Sequence, residues 1–434
     1  MMILFIALLL KCGSSHAEIL TLHQALQSAE QNSPVIQKAQ SANEESHWKK
    51  IESYSLFLPK ITGTINYLPT YKYLITDIAI PGFPGGPVAI PGIVPTTIYG
   101  LQAEYNLFEG LAGLRRTQSA RLGEKAANQA LDWTTFQTTR QVTLQFYRTL
   151  ASKILRQVAE SNLKTLEDHL HDTTLLKKSG LGTNYDVLRV EVQVSEANSE
   201  VMRTADDIDT AMGHLGELLG REAAVEPQGE LPELPGTLLE HIEDRQFAER
   251  SDLQAMENQV QAVDYQERAA SSYLLPRVSL IGQYQYYDNL NDRPFDWGSF
   301  RDAYELGLNL TWNIFDGFSS EAHKRELVEQ HTELDKSLTS ARLKAAQDVS
   351  IWKRKYKYFC SVFKARQSDI GKAKEAVRLA KEGRRVGSRT NTDLLDAETD
   401  LFRSQAGLVN AQIGVIEALI NVELATGRKL YEFR

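Results

Sequence analysis

Tyr304-Glu305-Leu306-Gly307-Leu308-Asn309-Leu310-Thr311-Trp312-Asn313-Ile314-Phe315-Asp316-Gly317 decides the fold. From Tyr304 to Ile314 every second residue is apolar, and Glu, Gly, Asn, Thr and Asn stand between them. That is the period of a strand with one apolar and one polar face. Upstream, Val278, Leu280, Tyr284 and Tyr286 alternate with Ser279, Gln283 and Gln285. An earlier pair repeats the pattern. Ile61, Gly63, Ile65, Tyr67, Tyr71, Tyr73 and Ile75 form one apolar face, and Tyr99, Leu101, Ala103, Tyr105 and Leu107 form its partner. Four strands of about ten residues, rich in Tyr and Trp on one face, match bilayer crossings. Tyr284, Tyr286, Leu306, Leu308 and Trp312 are the residues predicted to face lipid. Four strands cannot close a barrel and bare edges cannot remain in lipid, so several copies must pool their hairpins.

The quoted stretch has a counterpart. Asn106-Leu107-Phe108-Glu109-Gly110 precedes Asn313-Ile314-Phe315-Asp316-Gly317 by 207 residues. The same 207 separates Asn184-Tyr185-Asp186-Val187-Leu188 from Asn391-Thr392-Asp393-Leu394-Leu395, and Gly220-Arg221 from Gly427-Arg428. Leu58-Pro59 and Leu275-Pro276 stand 217 apart, so the first half carries ten extra residues, around Pro81–Pro87. Two internal repeats follow, 18–224 and 237–434, joined by a Pro-containing linker at 225–236. Each is expected to run helix, β-hairpin (about 58–108 or 275–315), long helix, turn, shorter helix.

The long helices, 110–178 and 317–385, would each extend roughly 100 Å. In the second, Leu338, Ala345, Trp352, Phe359, Ala373 and Ala380 recur at sevens, with Val349, Tyr356, Phe363, Ile370 and Val377 beside them. The seam is interrupted at Arg342 and Arg366, yet it is sustained enough for coiled-coil packing. Shorter helices are expected at 183–219, at 390–426 and at about Leu22–Phe57, with a capping box at Thr21 and Gln24 and a restart at Ser33-Pro34. Two of them stacked end to end equal one long helix, which implies a cylinder of alternating long helices and stacked pairs.

The 434 residues carry 56 acids against 48 bases, a formal charge of −8, which argues against a nucleic-acid partner. Two cysteines exclude a disulfide framework. The longest uninterrupted apolar run, Ile3–Leu10, suits a signal-peptide core cleaved after Ala17, which predicts export and a leader over 1–17. Acylation at Cys12 is the alternative there, against which Lys11 stands. Cys360, among Tyr358, Phe359, Val362 and Phe363, is expected to be a buried, inert thiol. No catalytic, cofactor or metal constellation emerges. His169 and His171 point to different faces of one helix, and Asp206-Asp207-Ile208-Asp209 lacks the Gly and terminal Glu of a calcium loop. The chain is therefore not expected to be an enzyme.

Taken in order, these motifs resemble the TolC-like outer-membrane efflux proteins. The resemblance is carried by Leu22-x-x-Ala25-Leu26 leading to Asn32-Ser33-Pro34, by Leu58-Pro59, by Phe108-Glu109-Gly110 and Phe315-Asp316-Gly317, and by Gly387-Ser388-Arg389-Thr390-Asn391-Thr392-Asp393-Leu394-Leu395-Asp396-Ala397-Glu398. It implies a mixed α/β membrane protein. A homotrimer would form a twelve-strand barrel in the outer membrane, four strands per chain, continuing into a periplasmic helical barrel. It further implies the exit duct of a tripartite efflux pump or type I secretion system, with periplasmic adaptors and an inner-membrane pump as partners. The adaptors would dock at the tip turns, here Gly180, Leu181, Gly182, Val386, Gly387 and Ser388. The tip gate would pair Arg389 with Asp186, and Asp393 and Asp396 would form acidic rings. Arg384 stands where the family often has a Tyr in a second latch. The rival reading is a membrane-anchored coiled-coil stalk or adhesin without a through-pore.

Overall fold

The computed structural model describes residues 18–68, 73–78, 81, 88–93, 97–240, 250–288 and 300–433. The expected leader 1–17 with Cys12, the expected strand residue Tyr71, and residues 82–87 of the insertion lie outside them. The chain divides into two compact units. One comprises Met1–Ala42, Ala127–Ala255 and Leu338–Arg434; the other comprises Asn43–Ala126 and Met256–Ser337.

The second unit holds the sheet. Strands β2 (Lys60–Tyr67), β5 (Thr97–Phe108), β7 (Arg277–Asp288) and β8 (Phe300–Thr311) pair antiparallel in that order, so the two hairpins join through β5 and β7. Register fixes the faces. Ile61, Ala103, Gly282 and Leu306 form one cross-strand row, and Gly63, Leu101, Tyr284 and Tyr304 the next. Thr62, Gln102, Gln283 and Glu305 form a row on the opposite face. Apolar and polar residues thus segregate across all four strands, as the alternation requires.

Two strand ends differ from expectation. Tyr73 and Ile75 do not extend the first strand; they belong to β3 (Tyr73–Ile78), which pairs with β4 (Val88–Ile93) in a separate hairpin. Among the described residues β2 pairs with β5 as far as Tyr67, opposite Thr97. Likewise Trp312 and Ile314 follow β8 rather than belong to it, because Thr311 already faces Arg277, the first residue of β7. Trp312 is held there by donating from Nε1 to the Leu274 carbonyl at 3.3 Å.

Strand turns into helix at a strained joint. Gly110 and Leu111 both have left-handed φ (62° and 67°), and so do Gly317 and Phe318 (70° and 66°). Leu and Phe adopt this region at a cost of order 1–3 kcal/mol, so the surroundings must hold them there. At Gly110 the fit is close: the Ser272 hydroxyl donates to its carbonyl at 2.8 Å, and an added Cβ would lie 2.9 Å from Leu275 Cδ1.

Helices α3 (Ala112–Lys178) and α6 (Ser319–Arg385) are 67 residues each, uninterrupted by proline. Helices α4 (Asn184–Leu218) and α7 (Asn391–Thr426) follow the turns. The N-terminal segment breaks where Pro34 predicts, into α1 (Leu22–Asn32) and α2 (Pro34–Tyr54), and Thr21 and Gln24 form their capping box. Helix α5 (Ser251–Ala270) opens the second half.

In the first unit, α1, α3, α4 and α7 share a core of Leu22, Ala25, Phe146, Tyr147, Leu215, Leu219, Ile416 and Ile420. The predicted seam of α6 supplies a second cluster: Val349 and Tyr356 are fully buried against Val415, Leu419 and Val422, with Trp352, Phe359 and Phe363 half-buried around them. Cys360 is buried in this cluster, and burial pushes its thiol up. Helix α7 has an 18-residue window apolar enough to cross a bilayer, and 61% of that window is buried inside the protein.

The linker is more structured than its prolines imply. Its first residues form β6 (Val225–Pro227), which pairs parallel with β1 (Glu18–Leu20). Farther along, the Leu231 and Pro232 carbonyls accept from Gln412, and the Pro235 carbonyl accepts from Tyr356.

Candidate functional site

Two regions stand out, the sheet face in one unit and the turn ends of the long helices in the other. On the apolar face, Ile61, Ile65, Leu101, Tyr284, Tyr304, Leu306, Leu308 and Leu310 are all exposed, Leu308 by 70% and Tyr304 by 84%. Tyr286 lies on the same face and stacks on Phe300 with ring centroids 4.9 Å apart. A contiguous exposed apolar face of this extent marks a surface made for a partner or for lipid. The structure places Tyr284, Tyr286, Leu306 and Leu308 together on it and leaves Trp312 beyond its end.

The turns are near copies of each other. Gly180 and Gly387 take φ of 77° and 75°, conformations costly to any residue with a Cβ. The Leu181 N–H returns to Leu176 O at 2.9 Å, and the Ser388 N–H to Gly383 O at 2.9 Å. Leu181 and Val386 project from these turns, 80% and 71% exposed.

Each following helix starts with a capping box, because Thr-x-x-Asp satisfies its first backbone donors. Asp186 accepts from the Thr183 N–H at 3.1 Å, and Asp393 accepts from the Thr390 N–H at 2.8 Å. The backbone and hydroxyl donors of Thr390 hold the Asp393 carboxyl below the usual carboxylate range, and the charge of Arg389 lowers it further. The stability contributed by this cap is present above the ordinary Asp value and is lost as pH falls through the lowered one.

The gate residues are only partly brought together. Among the described residues no hydrogen bond or ion pair joins Arg389 to Asp186; the Arg389 side chain instead lies against Gly383, where an added Cβ would come within 2.5 Å of its Cγ. Asp396 faces Arg189 at 3.9 Å, and Arg189 also donates to Thr392 Oγ1 at 2.9 Å. Arg384 bridges Asp172 at 3.2 Å and Asn391 Oδ1 at 3.2 Å.

Sequence reasoning missed the most buried polar contact here. His169 Nδ1 stands 3.0 Å from Glu398 Oε2, and its Nε2 stands 2.6 Å from Asn391 Oδ1, with both His169 and Glu398 nearly inaccessible. The signal was present in the spacing: Asn391, Leu394, Leu395 and Glu398 fall at i, i+3, i+4 and i+7, so Glu398 occupies a position on an apolar face. His171, two residues from His169, is exposed on a different side. No cluster of three or more His, Cys, Asp or Glu suited to a metal occurs among the described residues.

The overall charge of −8 also conceals a segregation. Residues 342–389 carry 15 Lys and Arg against 4 acids, whereas 184–218 carry 8 acids against 2 bases. The total charge alone does not show this basic run. Lys357, Lys364, Arg378 and Arg385 stand exposed on one side of α6.

The sequence model of the outer membrane efflux protein family matches residues 244–428. Outer membrane protein TolC of Vibrio cholerae is 26% identical over 129 residues, which cover 30% of each chain. The proteases secretion protein PrtF of Dickeya chrysanthemi is 20% identical over 272 residues, 59% of this chain and 57% of that one. The chain thus spans under two thirds of the length of either relative. The MtrE outer membrane channel of Neisseria gonorrhoeae, solved in its open state, superposes with a TM-score of 0.75 over 94% of this chain and 89% of its own, at 19% identity, so the fold is shared. The chain thus matches the outer membrane efflux protein model over most of its second half, resembles TolC and PrtF in sequence, and shares the fold of a solved outer-membrane channel.

Proposed function

We propose that this chain is the passive exit duct of an efflux pump or a type I secretion system, acting as a homotrimer in the outer membrane. The observation that carries this reading is the four-stranded sheet with one exposed apolar face and two open edge strands, β2 and β8. Open edges are not tolerated in lipid, and three copies would supply the twelve strands of a closed barrel. The polar face, with Thr62, Gln102, Gln283 and Asn309, would line a wet lumen.

Several features of the helical unit support side-by-side assembly. Tyr185, Leu188, Val192 and Met202 lie exposed along α4 at coiled-coil spacing. Acidic α4 and the basic part of α6 give neighbouring copies complementary faces. The 207-residue spacing of Gly110, Gly180 and Gly220 from Gly317, Gly387 and Gly427, all left-handed, supports an origin by duplication of one hairpin-and-helix unit. We assign adaptor docking to the turns at Gly180–Gly182 and Val386–Ser388, whose exposed Leu181 and Val386 offer apolar anchors, and an inner-membrane pump would drive transport.

The gate reading places Arg389, whose charge acts on Asp393 but which makes no hydrogen bond or ion pair with an acid of its own chain among the described residues, against an acid such as Asp186 of a neighbouring copy. Asp393 and Asp396 would form rings of three carboxylates in the closed tip, repelling one another. A charge-assisted contact of about 1.5–3 kcal/mol per subunit would offset that repulsion. Arg389→Ser should therefore raise single-channel conductance in planar bilayers while leaving the trimer intact. Unchanged conductance would remove Arg389 from the gate.

The reading as a whole is tested by mass photometry and reconstitution. In mild detergent the particle should have the mass of three 48.8 kDa chains less any leader, and it should conduct ions. Monomers alone would defeat the pooled barrel. A trimer that does not conduct would point to a stalk without a pore.

A further inference from the structure

The contact between His169, Glu398 and Asn391 lies beside the turn that carries Arg389, and the gate reading does not use it. His169 belongs to α3, while Asn391 and Glu398 belong to the start of α7, so the contact ties two helices together at the turn end. Each ring nitrogen of His169 faces an oxygen: Glu398 Oε2 at 3.0 Å and Asn391 Oδ1 at 2.6 Å. Asn391 Oδ1 also accepts from Arg384 Nη1, so the oxygen of this amide, and not its NH₂, points at the ring. A neutral imidazole carries one N–H and can satisfy only one of the two oxygens. The doubly protonated ring satisfies both.

Other charges surround the contact on every side. Asp168 and Asp172 face it from α3, Lys381 and Arg384 from α6, and Glu398 from α7, together lining a cavity of about 110 Å³. Lys381 Nζ stands 3.9 Å from Glu398 Oε1. Helix α4 packs here through Val190, against Leu166 and Leu395. Its Arg189 turns to Thr392 and Asp396. Asp172 and Lys381 are exposed at the rim, which gives a proton a route between the ring and solvent.

We propose that His169 is a proton-controlled clamp: with two protons it ties the start of α7 to α3 and steadies the turn, and with one it releases Asn391. The assignment of which bond breaks follows from charge. The carboxylate of Glu398 is the stronger acceptor and keeps the remaining proton on Nδ1. The Nε2 proton leaves to water, and a nitrogen lone pair then faces Asn391 Oδ1 at close range. Asn391 is the first residue of α7, directly after Thr390, so its release loosens the segment 386–391. Histidine is the side chain whose charge ordinarily changes between pH 5 and 8. The clamp therefore deepens the gate reading, on which its functional meaning rests: the turn is held more firmly in mild acid and less so as pH rises.

Hydrogen exchange across residues 386–398 of the detergent-purified trimer, corrected for the chemical pH dependence of exchange, tests the clamp directly. Between about pH 5.5 and 8 protection should fall by about tenfold in the native protein, the equivalent of one lost hydrogen bond. His169→Gln cannot titrate and should abolish the step. Asn391→Asp replaces the amide oxygen with a carboxylate and should move the step to higher pH. An identical profile in native protein and His169→Gln would overturn the proposal; if that variant does not assemble, an unmoved step in Asn391→Asp overturns it instead. Conductance recorded over the same range separates the two ideas. A step in exchange with flat conductance leaves the clamp standing and defeats the gate.

Discussion

Glu423→Ala should destabilise the helical unit by about 3–5 kcal/mol, because it leaves a buried charge and two backbone donors without a partner. Glu423 is fully buried, and its Oε2 receives Arg140 Nη1 at 2.9 Å. Its other oxygen accepts from the Leu430 N–H at 2.7 Å and the Tyr431 N–H at 3.0 Å. One carboxylate therefore anchors α3, the end of α7 and the C-terminal segment at once. The helical melting midpoint, followed by circular dichroism, should drop by about 10 °C or more, and Glu423→Gln should cost less because an amide oxygen still accepts. A midpoint within a degree or two of native would show that this pair holds nothing together. The site is not duplicated: the residue 207 positions earlier is Gly216, where an added Cβ would stand 2.5 Å from the Ala223 carbonyl. Gly220 and Gly427 take the same left-handed conformation, but the chain around each is held by different chemistry.

Leu308→Lys should sharply reduce outer-membrane assembly, whereas Asn309→Lys, one residue away, should not. Leu308 faces Leu280 across the β7–β8 ladder on the exposed apolar side, and Asn309 faces Ser279 on the other. A lysine near the bilayer midplane costs about 2–4 kcal/mol on the lipid face, and the proposed trimer would bear that cost three times. Asn309→Lys, set toward the proposed lumen, should instead alter conductance. The yield of heat-resistant trimer in outer-membrane fractions distinguishes them. Equal yields from the two variants would mean that the sheet faces are assigned the wrong way round or that lipid does not contact them.

The sheet faces were legible because period two is a local property of the chain, and one register places Ile61, Ala103, Gly282 and Leu306 in a single row. The seam at Ala345, Val349 and Tyr356 was legible for the same reason, since all three are fully buried. Strand ends were not. Trp312 continues the alternation of β8, yet the strand stops where β7 runs out of residues to pair with it, and a sequence window cannot see its partner. Nor did composition reveal the basic run over 342–389, because the acids of α4 and other segments cancel it in the total. The contact between His169 and Glu398 joins residues 229 apart. Only the polar residue at an apolar helix position hinted at it.

The paired left-handed residues at Gly110–Leu111 and Gly317–Phe318 bear on which length changes this protein can tolerate. Each residue added to a helix turns everything beyond it by about 100°. A joint fixed by two unusual backbone conformations, one of them wedged against Ser272 and Leu275, has no slack to absorb that turn. An insertion at either joint would rotate the whole 67-residue helix that follows out of phase with its strand. The ten residues by which the halves differ fall before Asn106, and from there the 207-residue spacing holds through Gly220 and Gly427. Epitope tags and natural insertions should therefore survive in the hairpin connections and be eliminated at the joints.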